Sequence, residues 1–309
     1  MEFTYCKLID VLSDIHSGGT PSTEESSYWG GNIKWLSSGE TSQRFISDTV
    51  DKITEEGVKN SSTKLAKKNN IVMACAGQGK TRGQTSYLLD DMYINQSVIA
   101  LETKTSVLPL YLFYDLSSRY EELRGGSDAS STRGSITTTA LKNLPFKYPD
   151  LSTQQSIVDI LFGYDSLIEA NNRRIELLEQ AAQELYREWF VGFRFPGYED
   201  VKFENSLPEG WERNKIQKYY NTCSGGTPSR SKPEYFENGV YPWVKTGEIK
   251  DCVIIDTEEY ITQEAVNNSS AKVLPAKSVA MAMYGVNIGL LAYFDSEMTC
   301  NQACCVFSD

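Results

Sequence analysis

The chain has one histidine in 309 residues, His16. A Ser-His-Asp or Cys-His nucleophile would rest on it alone, and zinc sites of the hydrolase kind are effectively excluded for want of imidazoles. Seven cysteines are present (Cys6, Cys75, Cys223, Cys252, Cys300, Cys304 and Cys305), an odd number with no Cys-x-x-Cys pair. That argues against a disulfide framework or a zinc ribbon and leaves reduced thiols, mostly packing residues. No apolar run approaches the ~18 residues of a transmembrane helix. The opening MEFTYCKLID lacks the basic and apolar regions of a signal peptide, so the default expectation is a cytoplasmic protein. No Asn-Pro-Pro-Tyr phrase or other methyltransferase motif occurs. No catalysis, metal or cofactor is expected of the chain itself.

A positive balance is also missing. The net charge is −11, which weighs against binding nucleic acid, because phosphate contacts favour basic surfaces. The charge is unevenly spread. Residues 1–150 carry 18 acids against 16 bases, and residues 151–309 carry 23 against 14. Gly57 to Leu89 holds no Asp or Glu, yet contains Lys59, Lys64, Lys67, Lys68, Lys80 and Arg82. A locally positive face on an acidic protein is reasonable, since screening limits distant charge to roughly 8–10 Å.

What is present is a duplication. Ser17-Gly18-Gly19-Thr20-Pro21-Ser22 recurs as Ser224-Gly225-Gly226-Thr227-Pro228-Ser229. Trp35 with Gly39-Glu40 recurs as Trp243 with Gly247-Glu248, and Asn60-Ser61-Ser62 as Asn268-Ser269-Ser270. Ala74 and Gly77 match Ala282 and Gly285; Asn95-Gln96 matches Asn301-Gln302. The offset stays between 206 and 208, so a whole domain is repeated. The unit reads as mixed, with strands at Val72–Ala74 and Ser97–Leu101 and short helices within Thr54–Val58 and Leu110–Leu123. The second copy reaches Asp309, aligned near Lys104, so it is expected to be incomplete, with its Cys304-Cys305 strand partly uncovered.

Between the copies lies a helical stretch. Ile157, Leu161, Tyr164, Ile168, Asn171, Ile175, Leu178, Ala182, Leu185 and Trp189 step by four and three without a break, the 3.5-residue period of a coiled-coil seam. Ser152 or Thr153 caps its start in this reading, and Pro196-Gly197 follows its end. The helix would be roughly 55–60 Å long at 1.5 Å per residue. A seam of this length predicts a partner helix, in another chain or beyond Asp309, with Asn171 fixing register.

The order of these parts resembles the specificity subunit of type I restriction–modification enzymes. The resemblance rests on Leu151 to Ile157 (Leu-x-x-Gln-Gln-x-x-Ile), Leu185 to Phe190 (Leu-Tyr-x-x-Trp-Phe), Leu207-Pro208-x-Gly210-Trp211, the Ser-Gly-Gly-Thr-Pro-Ser entry and the paired Asn-Gln. It implies an α+β chain with two duplicated, mixed α/β target recognition domains joined by a long coiled-coil helix: 1–150, a spacer over 151–195, and an incomplete copy over 196–309. It further implies a non-catalytic subunit that binds double-stranded DNA at a split site. Methyltransferase (modification) subunits and a motor-nuclease (restriction) subunit would be its partners, with a homodimer through the helix as another expectation.

Within that frame, basic side chains would fix phosphates and a few polar ones would read base edges. The residues singled out by composition are Lys64, Lys67, Lys68, Lys80 and Arg82, then Arg124, Ser131, Thr132 and Arg133 in the GGSDASSTRGS stretch. The Ala74–Thr81 segment fits a relaxed phosphate-loop pattern, but Arg82 to Tyr87 continues in strand-like fashion where such a loop would open a helix. A coiled-coil scaffold with two domains that do not bind DNA is the alternative reading; it explains the duplication but not the acid-free stretch.

Overall fold

In the computed structural model, residues 2–77, 80–128 and 134–309 are described, apart from the side chains of 126–128. Two compact units form, Met1–Leu185 and Tyr186–Asp309. The division falls within the long helix, where the sequence reading treats that helix as a separate element.

The first unit is built on a five-stranded sheet in the order Leu12–Ser17, Val98–Thr103, Ile71–Ala74, Thr85–Leu88, Phe45–Ile46. Only the last pair is parallel. The central strands read as unbroken apolar runs because both faces are covered. Val72, Leu88, Val98 and Ala100 pack inward with Leu36, Ile46, Met92 and Ile94. Ile71, Met73, Tyr87, Ile99 and Leu101 face Leu112, Phe113, Leu116 and Val158. A second sheet, Asp51–Ile53, Trp29–Leu36, Met92–Ile94, Lys64–Ala66, lies in the same unit. The helical region expected over 110–123 is two helices, Pro109–Ser118 and Tyr120–Asp128. Proline at the first helical position supplies a preset φ and lacks only an N–H that would have no helical partner.

The second unit repeats this topology. Its main sheet runs Asn221–Ser224, Cys304–Ser308, Val279–Ala282, Leu291–Phe294, Cys252–Ile254, again with only the last pair parallel. Its second sheet has Tyr260–Ile261, Tyr241–Val244 and Thr299–Cys300, with a single Leu274–Met298 bridge where the fourth strand would be. All seven cysteines are free thiols.

The long helix is α-helical over Leu151–Tyr186 and π-helical over Arg187–Val191, so the helical run stops short of the expected residue 195. Its cap is Asp150, not Ser152 or Thr153. The Asp150 carboxylate accepts from the Thr153 N–H at 3.0 Å and from the Thr153 hydroxyl at 2.8 Å. Both proposed caps lie inside the first turn. Gln154 explains the Leu-x-x-Gln-Gln phrase: fully buried, it accepts from the Leu108 N–H and donates to the Ser106 and Pro149 carbonyls. Gln154 and Val158 are the buried residues of this helix, whereas Leu161, Tyr164, Ile168, Ile175, Leu178 and Leu185 are exposed, Asn171 with them, and Ile157 is half-buried. Trp189 departs from the expected seam. It sits in the π turn, where the Gly192 N–H reaches back five residues to the Arg187 carbonyl at 2.7 Å. The extra residue in that turn breaks the heptad period. At the same end Phe190, Phe193 and Phe195 pack around Trp211, which accounts for the Leu-Pro-x-Gly-Trp phrase.

Candidate nucleic-acid interface

The repeated motifs are framework. Trp35 donates its indole N–H to the Gly19 carbonyl at 3.2 Å, and Trp243 does the same to Gly226 at 3.0 Å. Glu40 accepts from the Ser37 and Val50 N–H groups, and Glu248 from those of Lys245 and Glu258. The Thr20 hydroxyl bonds Gln96, as Thr227 bonds Gln302. A Cβ on Gly18 would stand 1.8 Å from the Ile94 carbonyl oxygen, and one on Gly225 would stand 1.9 Å from that of Cys300. These residues recur because each copy needs the same close approaches and buried hydrogen bonds.

Where the copies diverge, surface is exposed. The hairpin after Ile71–Ala74 is closed by Gly83 N–H to the Ala74 carbonyl and Ala74 N–H to the Gln84 carbonyl. In the second copy Gly289 and Leu290 make the same pair of bonds to Ala282. Three residues separate Gly285 from Gly289 and five separate Gly77 from Gly83, so the change of offset from 208 to 206 is two residues lost from this turn. The first hairpin carries Lys80 and Arg82. The second presents Tyr284, Val286 and Ile288, all exposed.

The first hairpin is tied to the segment holding the other predicted loop. The Tyr120 hydroxyl donates to the Lys80 carbonyl at 2.8 Å and accepts from Arg124 Nη1 at 2.7 Å. Gly83, at φ +89°, lies close against the Tyr120 ring. The Ile136 N–H bonds the Cys75 carbonyl at 2.9 Å, so the chain on the far side of residues 129–133 returns to the same sheet end. Lys80, Arg82 and Arg124 are thereby brought together. Arg82 is buried, 7% exposed, and is not a surface arm as the composition suggested. Ser131, Thr132 and Arg133 lie outside the described residues.

Lys64, Lys67 and Lys68 belong elsewhere. Residue 67 lies near Glu102, whose strand neighbour Leu101 pairs with Ile71, while the Lys80 hairpin leaves from Ala74 at the opposite end of that strand. Acids from other segments also reach this area. Lys67 pairs with Glu102 at 3.2 Å, and the Lys68 N–H donates to Asp91 at 2.7 Å. The Asp14 carboxyl, though burial pushes it up, is held below its usual range mainly by its bond to His16, with the charge of Lys64 adding a little. The acid-free stretch of sequence is not an acid-free surface.

Beside Lys80 lies a cleft of about 310 Å³ lined by Thr41, Ser42, Arg44, Gln84, Thr85 and Tyr120, among others. Arg44 was not foreseen. It stands outside the acid-free stretch, and its only signal is divergence between the copies: Thr41-Ser42-Gln43-Arg44 answers to Ile249-Lys250-Asp251-Cys252, directly after the shared Gly-Glu. The cleft offers cations, hydroxyls and an amide, a donor and acceptor set suited to phosphates and base edges.

Comparison with known proteins bears on this assembly of parts. The family model described as "Type I restriction modification DNA specificity domain" matches residues 2–180 and 208–309. The chain belongs to this family. It is 28% identical over 294 residues to the MjaIX type I restriction enzyme specificity subunit of Methanocaldococcus jannaschii, covering 91% of this chain and 66% of that protein. It is 30% identical over 197 residues to the EcoR124I/EcoR124II specificity subunit of Escherichia coli, covering 62% of this chain and 48% of that protein. The chain thus spans about two thirds or less of these relatives' length. The crystal structure of a type I restriction–modification S subunit from M. genitalium shares its fold, with a TM-score of 0.56 at 14% identity over 99% of this chain and 72% of that one. The α+β architecture of two mixed-sheet halves joined by a long helix is therefore that of the specificity-domain family. Among the described residues no helix is long and apolar enough to cross a membrane.

Proposed function

We propose that this chain is the DNA-reading, non-catalytic subunit of a type I restriction–modification complex, working in the cytoplasm. The observation that carries the reading is the convergence, in a member of this family, of Lys80 and Arg44 on one polar cleft, with Arg124 bonded to the Tyr120 hydroxyl that lines it, next to the hairpin where the two copies differ. A shared framework with a divergent cationic edge is what two domains need if each recognises a different half of a split double-stranded site. Phosphate contacts from Lys80, with Lys64, Lys67 and Lys68 as outlying basic groups, position the duplex. Polar groups of the cleft and of the 124–133 stretch reach base edges. The exposed apolar stripe from Leu161 to Leu185 would seat the methyltransferase subunits or the helix of a second copy, and the motor-nuclease subunit would join through them. Methylation and cleavage belong to those partners.

The test is a methylome. The chain is expressed with its methylating partner in a host lacking adenine methylation, and modified bases are sequenced. A gapped, two-part motif is expected. A palindromic motif would mean two first units acting as a dimer. Absence of methylation, with the complex assembled, would refute the reading.

A further inference from the structure

We infer that Arg44 reads a guanine edge in the DNA site and that Asp165, on the long helix, is the positioning residue that orients it. The inference rests on the DNA-reading function proposed above. Arg44 donates from Nε and Nη2 to the two Asp165 carboxylate oxygens at 3.0 and 3.1 Å. The same carboxylate accepts from the Tyr114 hydroxyl at 2.8 Å. Arg44 lies over the Phe113 and Tyr114 rings, 5.1 and 5.9 Å from their centroids. Phe45, the next residue, packs against Phe162 of the same helix. Asp165 is nearly enclosed at 11% exposed, whereas Arg44 keeps 49% of its side chain exposed and lines the cleft beside Lys80 and Gln84.

Three features favour base reading over phosphate binding. The bidentate bond to Asp165 uses one edge of the guanidinium and leaves the Nη1/Nη2 end, a parallel donor pair that matches guanine O6 and N7. Asp165 neutralises the arginine charge, which lowers its attraction to phosphate but leaves hydrogen-bond direction intact. Clamping between a carboxylate and two rings fixes the fork before DNA arrives, so little side-chain entropy remains to be lost. A residue of the long helix thereby also sets one contact of the reading surface.

The test uses the whole chain with its methylating partner, comparing the unsubstituted protein with Arg44→Ala, Arg44→Lys and Asp165→Asn. Motifs come from methylome sequencing and affinity from duplex titrations over a range of salt. In the unsubstituted complex one position of the motif is a fixed G·C pair. Arg44→Ala leaves the rest of the motif intact and loosens that position, discrimination falling roughly 5- to 150-fold. Arg44→Lys does not restore it, because an ammonium lacks the planar fork. Asp165→Asn loosens the same position, and thermal unfolding shows whether the variant is folded when it does so. For Arg44→Ala, the slope of affinity against salt stays unchanged. A slope shallower by about 0.9 with uniform loss on every sequence would mark a phosphate contact and overturn the inference; so would an unaltered motif in Arg44→Ala. If the unsubstituted complex directs no methylation, the DNA-reading function itself fails and this inference falls with it, a result visible before any variant is compared.

Discussion

The same five-stranded sheet is built twice in this chain, and its outer face meets opposite fates. In the first unit Met73, Ile71, Tyr87 and Leu101 lie under the helix Pro109–Ser118 and the start of the long helix, at most 8% exposed. In the second unit the matching Met281, Val279 and Phe307 border a groove of about 720 Å³ together with Leu291, which is 44% exposed, and the matching Tyr293 is 38% exposed. Cys305, expected to be partly uncovered, is half-buried on this face, while Cys304 points inward and is buried. The strand pairing is the same in both copies, and the close glycine approaches recur with it. Strand registry is fixed by the inner layer and the glycine contacts, and the outer layer adds stability.

That reading gives Met73→Ala and Met281→Ala very different costs. The first removes a fully buried side chain and should destabilise its unit by about 2–5 kcal/mol. The second, half-buried, should cost less than about 1.5 kcal/mol. Hydrogen exchange on the full chain, read peptide by peptide, measures both, and equal costs would break the comparison. The entry glycines sharpen it from the other side. Gly18→Ala and Gly225→Ala each force a Cβ onto a backbone carbonyl, and each should destabilise its own unit by about 3 kcal/mol. An effect in one copy alone would mean the shared framework is not shared.

The hairpins provide the next contrast. Lys80→Ala should make the salt dependence of DNA binding shallower by about 0.9 per lost phosphate contact. Val286→Ala, at the matching fully exposed turn, should leave it unchanged. Filter binding from low to moderate salt decides this.

The smallest effect is in acid. Glu259 accepts from Arg230 and Lys245, and these bonds hold its carboxyl at about 2. The first copy has Asp51 there but Ser37 in place of Lys245 and Thr23 near the position of Arg230. A folded-state value below the unfolded one adds stability above the unfolded value and loses it as pH falls through the folded one. Glu259 should therefore contribute stability to the second unit that is lost as pH falls from about 4.5 to 2, and Glu259→Gln should remove that part of the unit's acid sensitivity. Exchange rates of the two units across this range give the readout.

Much of the fold was legible in the residues. The duplication appears as matched blocks because each copy needs a tryptophan donating to a glycine carbonyl and a glutamate bridging two N–H groups. Even the shift in offset has a local cause, the shorter second hairpin. The helix showed through its period, but its end did not. The π turn at Arg187–Val191 depends on the aromatic packing that follows it, which a heptad count does not contain.

The candidate site was legible only in part. The sequence by itself determined the two-copy framework, the apolar stripe of the long helix and the divergent hairpin, because periodicity, glycine contacts and strand alternation are local properties repeated along the chain. Tertiary structure alone decided which charges act together. It set Glu102 and Asp91 among lysines from an acid-free stretch. It buried Arg82, and it joined Arg44 to Asp165 across 121 residues. Charge acts through space over roughly 8–10 Å, and neighbours at that distance are chosen by the packing of sheet on helix, not by order in the chain.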